Sequence, residues 1–161
     1  MVLPVTAERV GLLIHLLGAF AFVGGITTAG IAFEVARGRR SALEVAAVLR
    51  VSRIGALVGM AGGILLLLGG LWLAGDLDLY RTRWLQLSIL AFVLSLLFGA
   101  AGGRRPRQAR EMAERIAAGD EGGAPERMRA LLNDRAALFT NYLSVLLALL
   151  VLVLMIWQPA L

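Results

Sequence analysis

The sequence predicts an all-α polytopic membrane protein: a single membrane domain over residues 1–161, built as a four-transmembrane-helix up-down bundle with a short cytoplasmic helical hairpin. Three observations predict it. Four apolar stretches, 10–33, 54–74, 84–101 and 136–157, are each about long enough to cross a bilayer as a helix. The chain is 59% hydrophobic, with a mean hydropathy of +0.80, too apolar for a water-soluble domain of this length. The polar residues fall in short connections, with no strand-period alternation and no fixed-period repeat.

Taken in order, Thr6 is placed to cap the first helix and Glu8 meets its positive dipole end. The run continues past Ala19-Phe20-Ala21, and no basic segment precedes it, so the first span reads as a retained helix and not a cleaved leader. Ala36 to Arg40 is a basic turn. Ser41-Ala-Leu-Glu44 has the form of a capping box, so a second helix starts before the membrane and enters it near Ile54. A polar loop, Asp76 to Arg83, leads to the third span. Gly102, Gly103, an arginine cluster and Pro106 end that span. Gln108 to Ala118 reads as a surface helix stopped by the Gly119 to Gly123 turn. From Pro125, one helix is expected to pass through Asn133 and Asp134 into the fourth span.

All sixteen basic residues are arginines, against eleven acids. Five arginines lie between the first and second spans, eight between the third and fourth, and only Arg9, Arg81 and Arg83 on the other side. By the positive-inside rule this places both termini outside and the two basic loops in the cytoplasm. Trp72, Trp84 and Trp157 fall at the outer ends of their spans, as one side of an aromatic belt does. The arginines therefore serve orientation, and nucleic acid is not an expected partner. The bilayer is, together with a second copy or another membrane protein. The absence of cysteine excludes disulfides and thiolate chemistry.

Gly55, Gly59 and Gly63 recur every fourth residue on one face of the second helix, and Ser95, Gly99 and Gly103 do so on the third. Small residues at that spacing let helix backbones approach in lipid, within one bundle or between two copies. Gly55, Gly59, Gly63, Ser95 and Gly99 are therefore the expected packing positions.

His15 is the chain's one histidine and sits roughly 7 Å inside the outer boundary. It shares a face with Gly11, Gly18, Ala19 and Phe22, so it points into the bundle. Antiparallel counting brings Gly69, Gly70, Ser88 and Met155 to similar depth. Imidazole and thioether are accepted ligands of haem and of copper, which makes His15 a candidate metal ligand and His15 with Met155 a candidate cofactor pair. Alternatively His15 bonds Ser88 or a carbonyl across the helices. Glu34, Arg53, Asn141 and Tyr142 gather near the cytoplasmic face, where a proton or ion pathway would want such groups, but none reaches mid-membrane and interfacial anchoring is the preferred reading. Asp76 and Asp78 offer far fewer oxygens than calcium requires. No nucleophile–base set, phosphate loop or Glu-x-x-His signature is present, so no enzymatic activity is expected.

His15 to Gly25, the short loop between Trp72 and Trp84, the arginine-rich third loop and the terminal Leu154 to Pro159 together resemble a bacterial family of predicted four-helix integral membrane proteins of unknown function. His15, Gly18, Gly24 and Gly25 also resemble the first helix of the copper-resistance protein D type of membrane domain. There and in related haem-associated proteins, histidines are suspected or known ligands. The resemblance implies a small multi-pass protein of a cell membrane. The functions to be expected are an accessory subunit of a membrane complex, then a haem- or copper-binding protein using His15, and third a small transporter or channel.

Overall fold

The computed structural model describes residues 7–119 and 125–158. Thr6 and most of the Gly119 to Gly123 turn lie outside the described residues, as do 159–161. The described residues form six α-helices: α1 Ala7–Arg37, α2 Ala42–Asp76, α3 Arg83–Gly102, α4 Arg104–Ala117, α5 Pro125–Leu132 and α6 Arg135–Trp157, with a 3-10 turn at Leu79–Arg81. Among the described residues, four helical segments are long and apolar enough to cross a membrane. Their flanks carry exposed Phe20, Ile31, Leu97, Leu146 and Ile156, which is what a lipid-facing surface requires.

The spans associate as two antiparallel pairs, α1 with α2 and α3 with α6. The first pair is held by missing side chains. A Cβ added to Gly18 would strike the Leu66 backbone, one on Gly25 the Gly59 backbone, and one on Gly62 the Phe22 backbone. A Cβ on Gly69 would lie 2.7 Å from the His15 nitrogen, and one on Gly55 2.8 Å from that of Ala29. The residue numbers in each facing pair share one sum, so the register runs unbroken from Gly11 opposite Leu73 to Ala29 opposite Gly55. Ser52 adds a hydrogen bond to the Ala29 carbonyl at 3.0 Å.

Gly11, Gly18, Gly25 and Ala32 recur every seven residues on α1, and Gly55, Gly62 and Gly69 do so on α2, all of them buried. The chain thus does carry a fixed-period repeat, contrary to expectation. Seven-residue spacing keeps one seam facing its partner along a left-handed crossing.

The α3–α6 pair is joined by polar groups. Ser95 Oγ donates to the Ser144 carbonyl at 2.8 Å, and Ser144 Oγ donates back to the Ser95 carbonyl at 2.7 Å. Between the two pairs lies an apolar layer of Phe22, Ala91, Phe92, Ala148 and Val151, with the Phe22 and Phe92 rings 5.3 Å apart and tilted by 60°.

A second core sits at the arginine end of the bundle. Phe33 and Ala36 of α1, Val45 and Leu49 of α2, Ala109 and Ala113 of α4, and Met128 and Leu132 of α5 bury one another. The α4–α5 hairpin therefore folds back on the part of α2 that precedes its span.

Three local expectations need correction. The surface helix starts at Arg104, four residues early, because Pro106 falls in its first turn, where the missing N–H has no intrahelical partner to lose. The helix from Pro125 does not run into the fourth span. It stops at Leu132, where the Asn133 side chain donates to the Arg129 carbonyl, and α6 restarts with Asp134 accepting from the Ala137 N–H, both at 3.0 Å. Ser41 holds the N-cap position of α2 but makes no capping hydrogen bond, and Glu44 instead lies 4.0 Å from Arg39.

Candidate functional site

His15 lies on α1 opposite Gly69, near the tryptophan end. Its Nδ1 is 2.9 Å from the Leu66 carbonyl of α2. A carbonyl only accepts, so Nδ1 carries the hydrogen and, in the neutral ring, Nε2 keeps its lone pair. The ring fits there because α2 has glycine at 69 and 70. A Cβ on Gly70 would stand 3.0 Å from Nδ1 and 3.1 Å from Cε1. Of the two hydrogen-bonded alternatives, the carbonyl across the helices is the one formed. Ser88 Oγ instead donates to the Trp84 carbonyl of its own helix at 2.8 Å.

His15 and Met155 line one cavity between the helix pairs, together with Leu66, Leu67, Gly70, Leu85, Ser88, Phe92 and Val151. Its volume is about 30 Å³. That admits a water or a bare metal ion, whereas a ligand of haem size needs hundreds of Å³. A haem on His15 would have to part the two pairs where Phe22 meets Phe92. Among the described residues no group of three or more His, Cys, Asp or Glu converges on one point. The side chains with donor atoms that line the cavity are His15, Met155 and Ser88.

The packing positions divide between seams. Gly55 and Gly59 face α1, with the Gly59 position 3.3 Å from Ile26. Gly63 faces both pairs, lying 3.3 Å from Phe22 and 3.5 Å from Phe92. Gly99 packs on Ser144 of α6 at 3.0 Å, whereas a Cβ on Gly103 meets only carbonyls of its own chain segment. Gly62 and Gly102, which the four-residue spacing does not single out, approach a neighbour more closely than these. Gly102 abuts the Asn141 amide.

The polar group at the arginine end is re-sorted. Tyr142 donates to Glu34 at 3.2 Å, and Arg37 holds Glu34 at 2.7 Å while reaching Asn133 of the α5–α6 junction. Asn141 turns to Gly102, and Arg53 is exposed on α2. Further out, Glu114 bridges Arg50 and Arg110 at 3.1 and 3.0 Å. The hydrogen bond from Arg50 holds its carboxyl below the ordinary glutamate range, against a smaller opposing effect of burial, with the charges of Arg110 and Arg50 assisting.

Four spanning helices, lipid-facing apolar flanks and a charged layer at one end define a polytopic helical membrane protein. The chain belongs to the family described as predicted integral membrane protein (DUF2269), whose model matches residues 10–159. No curated protein and no solved structure matches it.

Proposed function

We propose that the chain is a non-enzymatic membrane subunit that acts through contact with another membrane protein, a second copy included. One observation carries this reading. An apolar furrow of about 280 Å³ runs along the outer side of the α3–α6 pair, lined by Leu87, Leu90, Leu94, Leu147, Leu150 and Leu154. It lies beside α6, the least covered of the four spans. A furrow of that size takes the side chains of a neighbouring helix. A photo-crosslinking residue at Leu150 should give one discrete protein adduct in cells, and the same residue at Leu12 on α1 should give none. Lipid adducts alone at Leu150 would end this reading.

The His15 cavity favours a second reading, as a copper(I) site. Thioether and imidazole suit that ion, and the Leu66 carbonyl fixes the ring as a metal-bound histidine's second partner does. The purified chain should then take one copper(I) from a chromogenic chelator, and His15→Gln and Met155→Leu should each lose it. A parent that leaves the chelator fully loaded retires the copper site without touching the furrow.

We also propose that both termini lie outside, on the strength of the arginine count and the tryptophan belt. Cysteine at Gln158 should react with a membrane-impermeant thiol reagent in intact cells, and cysteine at Ala118 should not. The opposite pattern reverses the orientation.

A further inference from the structure

Six arginines of the described residues hold carboxylates: Arg37, Arg39, Arg50, Arg105, Arg107 and Arg110. Arg53, Arg104 and Arg135 are exposed and have no carboxylate partner among the described residues. These three share a position in the architecture. Each stands where a span leaves the apolar zone, on α2, at the α3–α4 junction and at the start of α6.

Their spacing from the tryptophans fixes their depth. Arg53 to Trp72 on α2 spans about 29 Å at 1.5 Å per residue, and Arg135 to Trp157 on α6 about 33 Å. From Trp84 to Arg104 the distance is about 30 Å, since Gly103 keeps helical angles between α3 and α4. All three match the roughly 30 Å of a bilayer's hydrocarbon core. With the tryptophans seated at one interface, all three arginines stand at headgroup depth in the opposite leaflet. Arg104 and Arg135 are also local neighbours, because they flank the Arg105–Asp134 ion pair, closed at 3.2 Å. That pair cancels its own charges and leaves two uncancelled cations beside it.

We infer that Arg53, Arg104 and Arg135 form a collar that binds anionic phospholipid headgroups. A guanidinium presents paired N–H donors to a phosphate and stays charged at any physiological pH. A purely topological role needs only positive charge on the correct side. A lipid collar needs the charges unpaired, at phosphate depth and on adjoining helices, as they are found.

The test uses the full chain in discs of phosphatidylcholine mixed with an equal part of phosphatidylglycerol, and reads the phosphatidylglycerol retained after transfer to detergent by native mass spectrometry. Each of Arg53→Gln, Arg104→Gln and Arg135→Gln should lower retention about fivefold, the factor expected for one basic side chain at an anionic surface. The triple lysine variant should keep most of it. A control triple, Arg115→Gln, Arg127→Gln and Arg129→Gln, removes equal charge from exposed hairpin sites and should retain phosphatidylglycerol as the parent does. Soluble glycerol phosphate should not displace the lipid. Equal retention by the collar variants, or equal loss in the control triple, would overturn the inference. The single variants keep the test decisive should the collar triple fail to fold.

Discussion

The two helix pairs solve one problem in different ways. Between helices in lipid no hydrophobic effect operates, so association must come from close dispersion contact or from hydrogen bonds. The α1–α2 seam takes the first route: glycine against backbone from His15 opposite Gly69 to Ala29 opposite Gly55, with the Ser52 and His15 side chains each bonding one carbonyl across it. The α3–α6 seam takes the second, with reciprocal Ser95 and Ser144 bonds and polar Asn141 against Gly102. A seam built on absent atoms tolerates no added atom. One built on hydrogen bonds loses only the bond that is removed.

The largest expected effect follows from that difference. Gly25→Ala puts a methyl into the Gly59 backbone, and no side chain can rotate away to make room. An overpacking cost of about 1–3 kcal/mol should lower thermal stability in detergent. Gly24→Ala is the matched control, because nothing lies within 4 Å of the added carbon. There the substitution should stabilise α1 by roughly 0.5–1 kcal/mol, since alanine favours helix over glycine. Equal effects at the two positions would mean that the seam is not where the register puts it.

Adjacent Gly24 and Gly25 also mark the limit of what the sequence shows. Span positions follow from hydropathy and length alone, and the start of α2 from the capping pattern ahead of Ile54. The α1–α2 seam was half legible. The rule of small residues four apart finds Gly55, Gly59 and Gly63, but the contact row follows a seven-residue period. Gly62 therefore outranks Gly63, and Gly69 enters the seam. The break at Asn133 and Asp134 was written in two good capping residues, but an apolar-periodic run on either side hid it. Met155 joins His15 at one cavity because the helices run antiparallel at matched lengths, as depth counting implies. Ser88 reaches the same cavity, but of the two partners open to His15 the carbonyl is taken, since a serine within a helix can bond its own preceding turn and sequence does not say which partner it takes.

His15 offers a smaller perturbation of the glycine seam. Gly70→Ala would crowd the imidazole and displace Nδ1 from the Leu66 carbonyl. His15→Leu removes the same bond without crowding, so it should cost only about 0.6 kcal/mol, the mean for hydrogen bonds within membranes. Gly70→Ala should exceed that. His15→Gln keeps a donor and should fall below it. A leucine variant that loses more than the alanine variant would show that the ring, and not the space at Gly70, governs this end of the seam.

On the polar seam, Ser95→Ala and Ser144→Ala should each cost on the order of 0.6 kcal/mol. Each removes one bond to a carbonyl across the seam together with the 3.3 Å contact between the two hydroxyls, while the partner hydroxyl keeps its own carbonyl. The double variant should therefore cost less than two independent losses, a coupling that a double-mutant cycle reads directly. Strict additivity would mean that the two hydroxyls act alone. A total as large as that of Gly25→Ala would erase the contrast between the seams.

The smallest effect lies beyond the spans, where a charged bridge adds to the apolar packing of α4 on α2. Glu114 takes hydrogen bonds from Arg50 of α2 and Arg110 of α4. Its carboxyl titrates below the ordinary glutamate value of 4.5 when the chain is folded. A depressed carboxyl stabilises the fold above its unfolded pKa, and that stability fades as pH falls through the folded value. The bridge is partly exposed and its charges are screened, so Glu114→Gln should cost only a few tenths of a kcal/mol, up to about 1. Hydrogen exchange of α4 amides at neutral pH should quicken slightly in Glu114→Gln, while α3 and α6 amides stay unchanged. In the parent, the same quickening should begin only below the ordinary glutamate range, and the variant should not show that further step. A step shared by both would place the acid response on another carboxylate. A response spreading into α3 and α6 would show that the charged layer and the membrane seams open together, and not as separate units.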